Sequence, residues 1–256
     1  MRARCELTRL IDKRQYTGWM EDRFYFAQLT SGEDFGFDNP FARQMANHCY
    51  SIGDRHTGEA VLVDPTYDVR GILEQVRSDG FEPTSVILTH YHADHAGGSI
   101  AGHEIEGTVT LLEEVDIPVH VHRDEVEFVT LATGLQASQL VAHDSGDTVN
   151  VGEYDVELIH TPGHTPGSQC LLVEDHLLSG DTLFLSGCGR TDLPGGDAAE
   201  LYVSLTQRLN QVGDNVELFP GHHYSDDLSA SMGNTRQSNN VFRPKSKDDW
   251  LRIFAS

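Results

Sequence analysis

The chain has 256 residues, of which 38% are hydrophobic, and this composition is typical of a globular domain rather than of a fibrous or disordered protein. Its 18 Lys and Arg stand against 40 Asp and Glu, a formal net charge of −22 that would repel a nucleic-acid backbone. Apolar runs stay shorter than the roughly 18 residues that a membrane span needs. We therefore expect neither a nucleic-acid nor a membrane partner.

The four cysteines are scattered, without the spacing of a disulfide framework or a zinc ribbon. The N-terminus lacks the apolar segment of a secretory signal, so we expect a cytoplasmic protein. Lysine is scarce, and an acidic, lysine-poor surface fits a high-salt cytoplasm, since salt screens the self-repulsion of such a charge. An ordinary acidic cytosolic protein is an equal alternative.

The first twenty residues are charged and poorly patterned, which indicates a mobile extension or a different start codon. We assign residues 1–44 to an N-terminal extension with a first strand region, and residues 45–256 to one domain. Strands are predicted at 48–53 and 59–64, joined as a hairpin by the turn-rich GDRHTG. A helix follows, because Val69, Ile72, Leu73 and Val76 form an apolar stripe at helical spacing.

A strand over 84–89 then leads directly into HYHADHAGG. Beyond it the pattern predicts helices near 107–115 and 123–131, and strands at 117–122, 154–160, 168–174, 176–180 and 216–219. Leu201, Leu205, Leu209 and Val212 predict one more helix, with Asp197 as its N-cap. Two halves that both mix strands and helices predict an α/β fold, a four-layer sandwich of two mixed sheets face to face with helices outside.

The segment HYHADH places four potential metal ligands, His90, His92, Asp94 and His95, within six residues at a strand end. Imidazole nitrogen and carboxylate oxygen suit zinc, iron or manganese, and the lack of nearby thiolate disfavours a purely structural zinc site. Three more candidates follow far along the chain, each at a strand end beside glycine: His164, Asp181 and His222. Their recurrence predicts convergence on one point, with glycine permitting close backbone approach.

These motifs, in this order over roughly residues 45–225, resemble the metallo-β-lactamase superfamily. The resemblance implies a first metal site of His90, His92 and His164, a second of Asp94, His95 and His222, and Asp181 bridging the two. It also implies that Asp64 supports a ligand histidine, although an Asp-Pro turn explains that residue almost as well. The domain over 45–256 is then a catalytic domain of this type.

Two ions that share a water lower its pKa towards roughly 7, and the resulting metal-bound hydroxide can attack an acyl carbon. Asp94 could orient that nucleophile or exchange protons with it. The segments TPGHTPGS and GDTLFLSGCGRTDLPGGD narrow the resemblance to the glyoxalase II and persulfide dioxygenase group. Both enzymes act on small thiol-derived substrates.

The persulfide dioxygenases use one iron, and the resemblance would place it at His90, His164 and Asp181. Arg190, in the GCGRTD segment, resembles a dioxygenase residue that holds an anionic thiol substrate, but it could equally pair with Asp192 or Asp197. Only 34 residues follow His222, too few for the helical domain that binds glutathione in glyoxalase II, so that reading requires a short single-domain version.

We therefore expect an enzyme: a metal-dependent hydrolase of a thioester or related acyl bond, similar to hydroxyacylglutathione hydrolase, with two divalent ions, most simply zinc. A mononuclear iron persulfide dioxygenase is the alternative, and a non-catalytic binding protein is a third hypothesis. The sequence leaves a homo-oligomer open.

Further expectations concern residues around the site. Tyr224 is placed to reach substrate, unless it is a buried strand-end tyrosine, and His222 is preferred to His223 as the ligand. Segments 102–107 and 131–140 are interpreted as additions that shape the pocket mouth. His120 and His122 are interpreted as structural, and Cys170 and Cys188 as buried apolar residues.

Overall fold

The computed structural model describes residues 23–254, so the expectation for the first twenty residues lies outside the described residues. The strands are β1 Phe24–Thr30, β2 His48–Asp54, β3 Glu59–Val63, β4 Glu82–Ile87, β5 Gly98–Ile100, β6 His103–Ile105, β7 Val119–His122, β8 Leu140–His143, β9 Thr148–Val151, β10 Tyr154–His160, β11 Gln169–Val173, β12 His176–Gly180, β13 Glu217–Pro220 and β14 Ala230–Ser231. The α-helices are α1 Pro40–Met45, α2 Val69–Ser78, α3 Ala93–Ala96, α4 Thr108–Glu114, α5 Val126–Thr133, α6 Ala198–Val203, α7 Met232–Ser238 and α8 Lys247–Phe254.

Two six-stranded sheets form the centre of the fold. The first has the strand order β1-β2-β3-β4-β7-β8 and the second β14-β13-β12-β11-β10-β9, while β5 and β6 form a separate hairpin. Each sheet is mixed, since β3 and β4 pair in parallel in the first and β12 and β13 do so in the second. The predicted pair of mixed sheets with helices outside is confirmed.

Three apolar clusters hold the four layers together. One lies between the sheets, where Ile52 and Ile87 of the first sheet meet Leu158 and Leu171 of the second. Another joins the outer face of the first sheet to its helices, including the buried stripe of α2 that its helical spacing predicted. The third joins the second sheet to α6, α7 and α8 around Trp250, which is fully buried. Burial on both faces is what fixes the strand registers.

Residues 24–44 belong to this same body. Strand β1 pairs with β2 along its whole length, from Phe24 opposite Asp54 to Thr30 opposite His48. Ala42 of α1 is fully buried in the core of the first sheet. The first strand region that the sequence assigned within residues 1–44 is thus β1, and it completes the first sheet of the domain.

Two other elements differ from their predicted bounds. The strand predicted over 84–89 is β4, which ends at Ile87, although Leu88 still donates to the carbonyl oxygen of His120 before the histidine-rich segment begins. The predicted helix after Asp197 is α6, which changes at Ser204–Arg208 to π geometry and then to a 3₁₀ turn. Asp197 caps it as predicted, accepting from the backbone N–H of Ala199 and Glu200. Among the helices of residues 23–254, none is long and apolar enough to cross a membrane.

Candidate metal centre

Four chain segments deliver the seven predicted ligands to one edge of the sandwich. The segment after β4 carries His90 and His92 and continues into α3, which holds Asp94 and His95. The connections after β10, β12 and β13 carry the others: His164, Asp181 and His222. Four of the seven therefore follow a strand of the first sheet, and three follow strands of the second.

The seven side chains form three overlapping groups whose donor atoms lie within 4.8 Å of one another. These groups are His90, His92 and His164; Asp94, His95 and His222; and His90, His95 and Asp181. Asp181 lies between the first two groups, because its oxygens are 3.3 Å from His95 Nε2, 3.3 Å from His222 Nε2 and 3.6 Å from His164 Nε2. The seven residues that the sequence singled out therefore lie together, and their role as metal ligands stays a prediction.

The imidazole rings are oriented by their outer nitrogens. His164 Nδ1 donates to the carbonyl oxygen of Arg190 at 2.6 Å, and His222 Nδ1 donates to that of Met45 at 2.8 Å. In a neutral imidazole this leaves the lone pair on Nε2, which faces the centre. His90 Nε2 and His92 Nε2 are buried with no hydrogen-bond partner among the described residues. Such nitrogens fit a metal ion better than they fit a metal-free core.

Burial and charge divide the histidines into two kinds. Burial lowers the pKa of His90 well below its ordinary value and that of His92 to about 3, and the neighbouring imidazoles add to both shifts. These rings are therefore neutral at pH 7, as a metal ligand must be. Burial acts in the same direction on His95 and His222, but Asp181 opposes it and raises the pKa of both. Binding of a metal ion to His95 and His222 would therefore release protons from these rings.

Asp64 braces this second group from behind. Its carboxylate accepts from the backbone N–H of Thr89 at 2.8 Å, from the hydroxyl of the same residue at 2.6 Å, and from His95 Nδ1 at 2.8 Å. Asp64 is buried and adopts a positive φ of 51°, a conformation that costs energy outside glycine. The strained turn places the carboxylate beside Nδ1 of His95.

Replacing Asp64 tests this contact. Asp64→Asn removes one acceptor oxygen, so the ring of His95 is less firmly held, and we expect metal affinity at the group of Asp94, His95 and His222 to fall by about 10- to 100-fold. Competition with a chromophoric chelator measures the affinity. Asp116→Asn, an exposed aspartate, is the control and should match the wild type. Equal affinity in both variants would contradict the bracing role.

Comparison with known proteins identifies the family of the chain. The family model described as the metallo-beta-lactamase superfamily matches residues 43–222. The chain belongs to this superfamily. Its members are mostly metal-dependent enzymes, and the resemblance inferred from the motifs is confirmed.

Individual relatives cover most of the chain. The probable polyketide biosynthesis zinc-dependent hydrolase BaeB of Bacillus velezensis is 26% identical over 83% of this chain and 89% of its own. The crystal structure of ETHE1 from Myxococcus xanthus matches with a TM-score of 0.73 and 30% identity, covering 91% of this chain and 90% of that one. TTHA1623 in a di-iron-bound form has a TM-score of 0.61 and 26% identity, covering 77% and 96%.

One side chain at this site, Asn47, was not predicted from the sequence. Its amide nitrogen lies 3.1 Å from Asp94 Oδ2 and 3.2 Å from His95 Nε2, and its oxygen accepts from the hydroxyl of Tyr67 at 3.0 Å. Asn47 therefore orients Asp94. A single asparagine before a strand carries no pattern that distinguishes it from a turn residue.

Glu125 is the second residue that the sequence did not reveal. It is 1% exposed and accepts three hydrogen bonds: from the N–H of Tyr91 at 2.8 Å, the hydroxyl of Thr165 at 2.7 Å and the N–H of Gly167 at 2.6 Å. Tyr91 lies between two candidate ligands, and Thr165 follows His164. Glu125 thus ties together the two segments that carry the first ligand group. Burial raises its pKa to about 7.

A cavity of about 660 Å³ opens over the ligands. Its wall is largely apolar and includes Ile100 of the β5–β6 hairpin and Ala132 of α5. Of the two segments expected at the pocket mouth, 131–140 lines the cavity through Ala132. Residues 102–107 do not line it; the hairpin reaches the cavity through its first strand instead. Tyr224 also lines the cavity: it is 53% exposed and stacks on His222 at 4.5 Å, so it is not the buried tyrosine of the alternative interpretation.

Arg190 lines the same cavity but is already paired. Its guanidinium makes two contacts of 2.6 Å with Asp192, and its side chain is 62% exposed. Asp197 caps α6 instead, so of the two predicted carboxylate partners only Asp192 is used. An anionic substrate that reaches Arg190 must therefore compete with a carboxylate.

The remaining candidates lie to the side of the ligands. His223 turns towards Glu33, with 3.7 Å between Nδ1 and the carboxylate, whereas His222 faces the centre. Cys170 is fully buried, and Cys188 is half-buried in the cavity wall. Burial raises the pKa of Cys188 to about 12, so it carries no thiolate at neutral pH.

Proposed function

We propose that this protein is a metal-dependent hydrolase that binds two divalent ions, most simply zinc, and cleaves a thioester of a small thiol, similar to hydroxyacylglutathione hydrolase. The observation that carries the proposal is the complete pair of ligand groups with Asp181 between them. The printed description of BaeB as a probable zinc-dependent hydrolase supports the same class of chemistry.

When bound, the ions would supply an activated water at neutral pH and polarise the acyl oxygen. The first ion would be held by His90, His92 and His164, and the second by Asp94, His95 and His222. Asp94 is also positioned to take part in proton transfer, because Asn47 holds its Oδ2 at 3.1 Å and the residue lines the cavity. The largely apolar wall lowers the polarity around the reacting carbon, which strengthens electrostatic interactions there.

A second candidate function is oxidation of glutathione persulfide at one iron held by His90, His164 and Asp181. The likeness to ETHE1, at 30% identity over 91% of this chain, favours this alternative, together with the GCGRTD segment around Arg190. The open positions of such a set would accommodate oxygen.

The first test is the metal content of protein purified without added metal, measured by inductively coupled plasma mass spectrometry. The hydrolase is expected to hold close to two ions per chain and to hydrolyse S-lactoylglutathione or another thioester in a thiol-release assay. About one iron per chain, with oxygen uptake dependent on glutathione persulfide, would replace the hydrolase by the dioxygenase. Metal retention without turnover of either substrate would overturn both.

The variant His222→Ala separates the two functions without a substrate survey. His222 belongs to the second ligand group only, so the hydrolase should lose one ion and more than about 100-fold in turnover. The mononuclear alternative does not use this residue and should keep its iron and its oxygen uptake. His56→Ala, at an exposed histidine, serves as the matched control.

A further inference from the structure

Four histidines gather at the edge of the sandwich, outside the metal centre. They are His120 and His122 of β7, His143 at the end of β8, and His160 at the end of β10. His122 and His143 are register partners, so their side chains share a face of the first sheet with His120, two residues earlier. His160 reaches them from the second sheet and stacks on His122, with 3.7 Å between ring centroids.

Asp124 adds a carboxylate to this cluster. One donor atom each from His122, Asp124 and His160 lies within 4.8 Å of the others, and His122 Nδ1 is 3.7 Å from Asp124 Oδ2. This is the same proximity of donors that marks the main centre. The carboxylate is 55% exposed, so an ion can reach the group from solvent.

Hydrogen bonds set which ring nitrogens are available. His160 Nε2 donates to the carbonyl oxygen of Pro166 at 2.8 Å, which leaves the lone pair of the neutral ring on Nδ1. A backbone carbonyl in this position is the usual partner of a metal-binding histidine. His122 Nδ1 accepts a long contact of 3.3 Å from the N–H of Asp124, so its lone pair is also on Nδ1.

We propose that His122, Asp124 and His160 bind one divalent transition-metal ion, of the zinc type, separate from the main centre. Two imidazoles and a carboxylate are a donor set that zinc accepts, with a fourth position for water. The rings are stacked within 12° of parallel, so one must turn to aim both lone pairs at one point. His122 turns, because its 3.3 Å contact is the weaker restraint, and this reorganisation makes the site weaker than the main centre.

The bound ion would brace the connection that carries His164. His160 and Pro166 enclose that connection, and their hydrogen bond already closes it. Glu125, the residue after Asp124, holds its far side through Thr165 and Gly167. An ion between Asp124 and His160 would fasten the start of this segment to the same turn, Asp124 and Glu125, that already holds its end.

The test is the zinc content of the full chain after removal of metal with a chelator and equilibrium dialysis against Zn²⁺ from about 0.1 to 100 μM, a range around the micromolar affinity expected of a three-ligand site that must reorganise. We expect the wild type to bind one more zinc per chain than Asp124→Asn. Asp116→Asn, which removes an exposed carboxylate elsewhere, should bind as much as the wild type. Equal zinc content in all three proteins would overturn the proposal.

A second pair of measurements assigns the lost ion. His160→Gln keeps an N–H that can reach Pro166 but removes the imidazole donor, and it should lose the same equivalent. The difference of one zinc between proteins with and without the Asp124→Asn substitution should persist when both also carry Asp181→Asn, which impairs the main centre. If the difference disappears in that background, the ion belongs to the main centre and the proposal fails.

Discussion

The variant Asp181→Asn is expected to lose metal and to lower kcat/KM by more than about 1000-fold, or about 4 kcal/mol of transition-state stabilisation. The carboxylate lies within 3.3 Å of His95 and His222 and 3.6 Å of His164, so it joins both ligand groups. Its charge matters as much as its position. Burial alone would raise the pKa of Asp181, but His222 and His95 lower it well below its ordinary value, so the side chain is an anion at neutral pH.

The amide of asparagine keeps the size of the side chain and removes that charge. Metal content by mass spectrometry and turnover of the thioester should fall together, while circular dichroism should show the native fold. Asp116→Asn provides the control for a lost surface charge. A variant that retained two ions and wild-type turnover would remove Asp181 from the centre and, with it, the bridged arrangement.

The second large effect is expected on stability. Glu125→Gln should lower the free energy of unfolding by about 1–3 kcal/mol at pH 6, where the pKa of about 7 leaves the glutamate largely protonated. Both oxygens of the protonated carboxyl group can still accept, whereas a glutamine offers only one acceptor oxygen to the three donors of Tyr91, Thr165 and Gly167. The amide N–H₂ then faces a buried donor, which is left unsatisfied. Urea denaturation measures the loss. Glu127→Gln lies on α5, is exposed, and is the matched control.

The pH dependence of that loss has a definite sign. Burial raises the pKa of Glu125 to about 7, above the value of about 4.5 for the unfolded chain, so the folded state binds the proton more tightly. The stability that this group contributes is fully present below pH 4.5 and is lost as the pH rises through 7. The glutamine of the variant does not titrate. The stability of the wild type relative to Glu125→Gln should therefore decrease between about pH 5 and about pH 8, measured in chelator; an increase would contradict the assignment.

The convergence of the seven candidate ligands could be predicted because each signal is local. Four of them lie within six residues, and the other three follow strands beside glycine. Their division into two metal groups came from the family resemblance and stays a prediction. The layered fold could be predicted for a related reason, since α2 and the strands that flank it show clear apolar periods. Gly189 illustrates why glycine accompanies these positions: a Cβ there would lie 2.8 Å from His164 Nδ1 and closer still to the backbone of Asp181.

Glu125 and Asn47 could not be predicted because their roles exist only in three dimensions. Glu125 is one of 40 acidic residues, and its partners lie 34 and 40 residues away on different segments. Asn47 reaches His95 across 48 residues. Arg190 was ambiguous for the opposite reason, since both candidate carboxylates are close in sequence and only the conformation of the segment selects Asp192. Spacing alone carries no information about such choices.

The division of the ligands between the two sheets has a consequence for the synthesis of the protein. Translation delivers His90 to His95 early, and His164, Asp181 and His222 only as the second half emerges from the ribosome. A nascent chain that has made the first sheet alone has no complete ligand group, since each group of three includes a residue beyond position 160. Loading of a metal ion into these groups would therefore be a late event in the life of each molecule, and the ion would join two halves that translation produced one after the other.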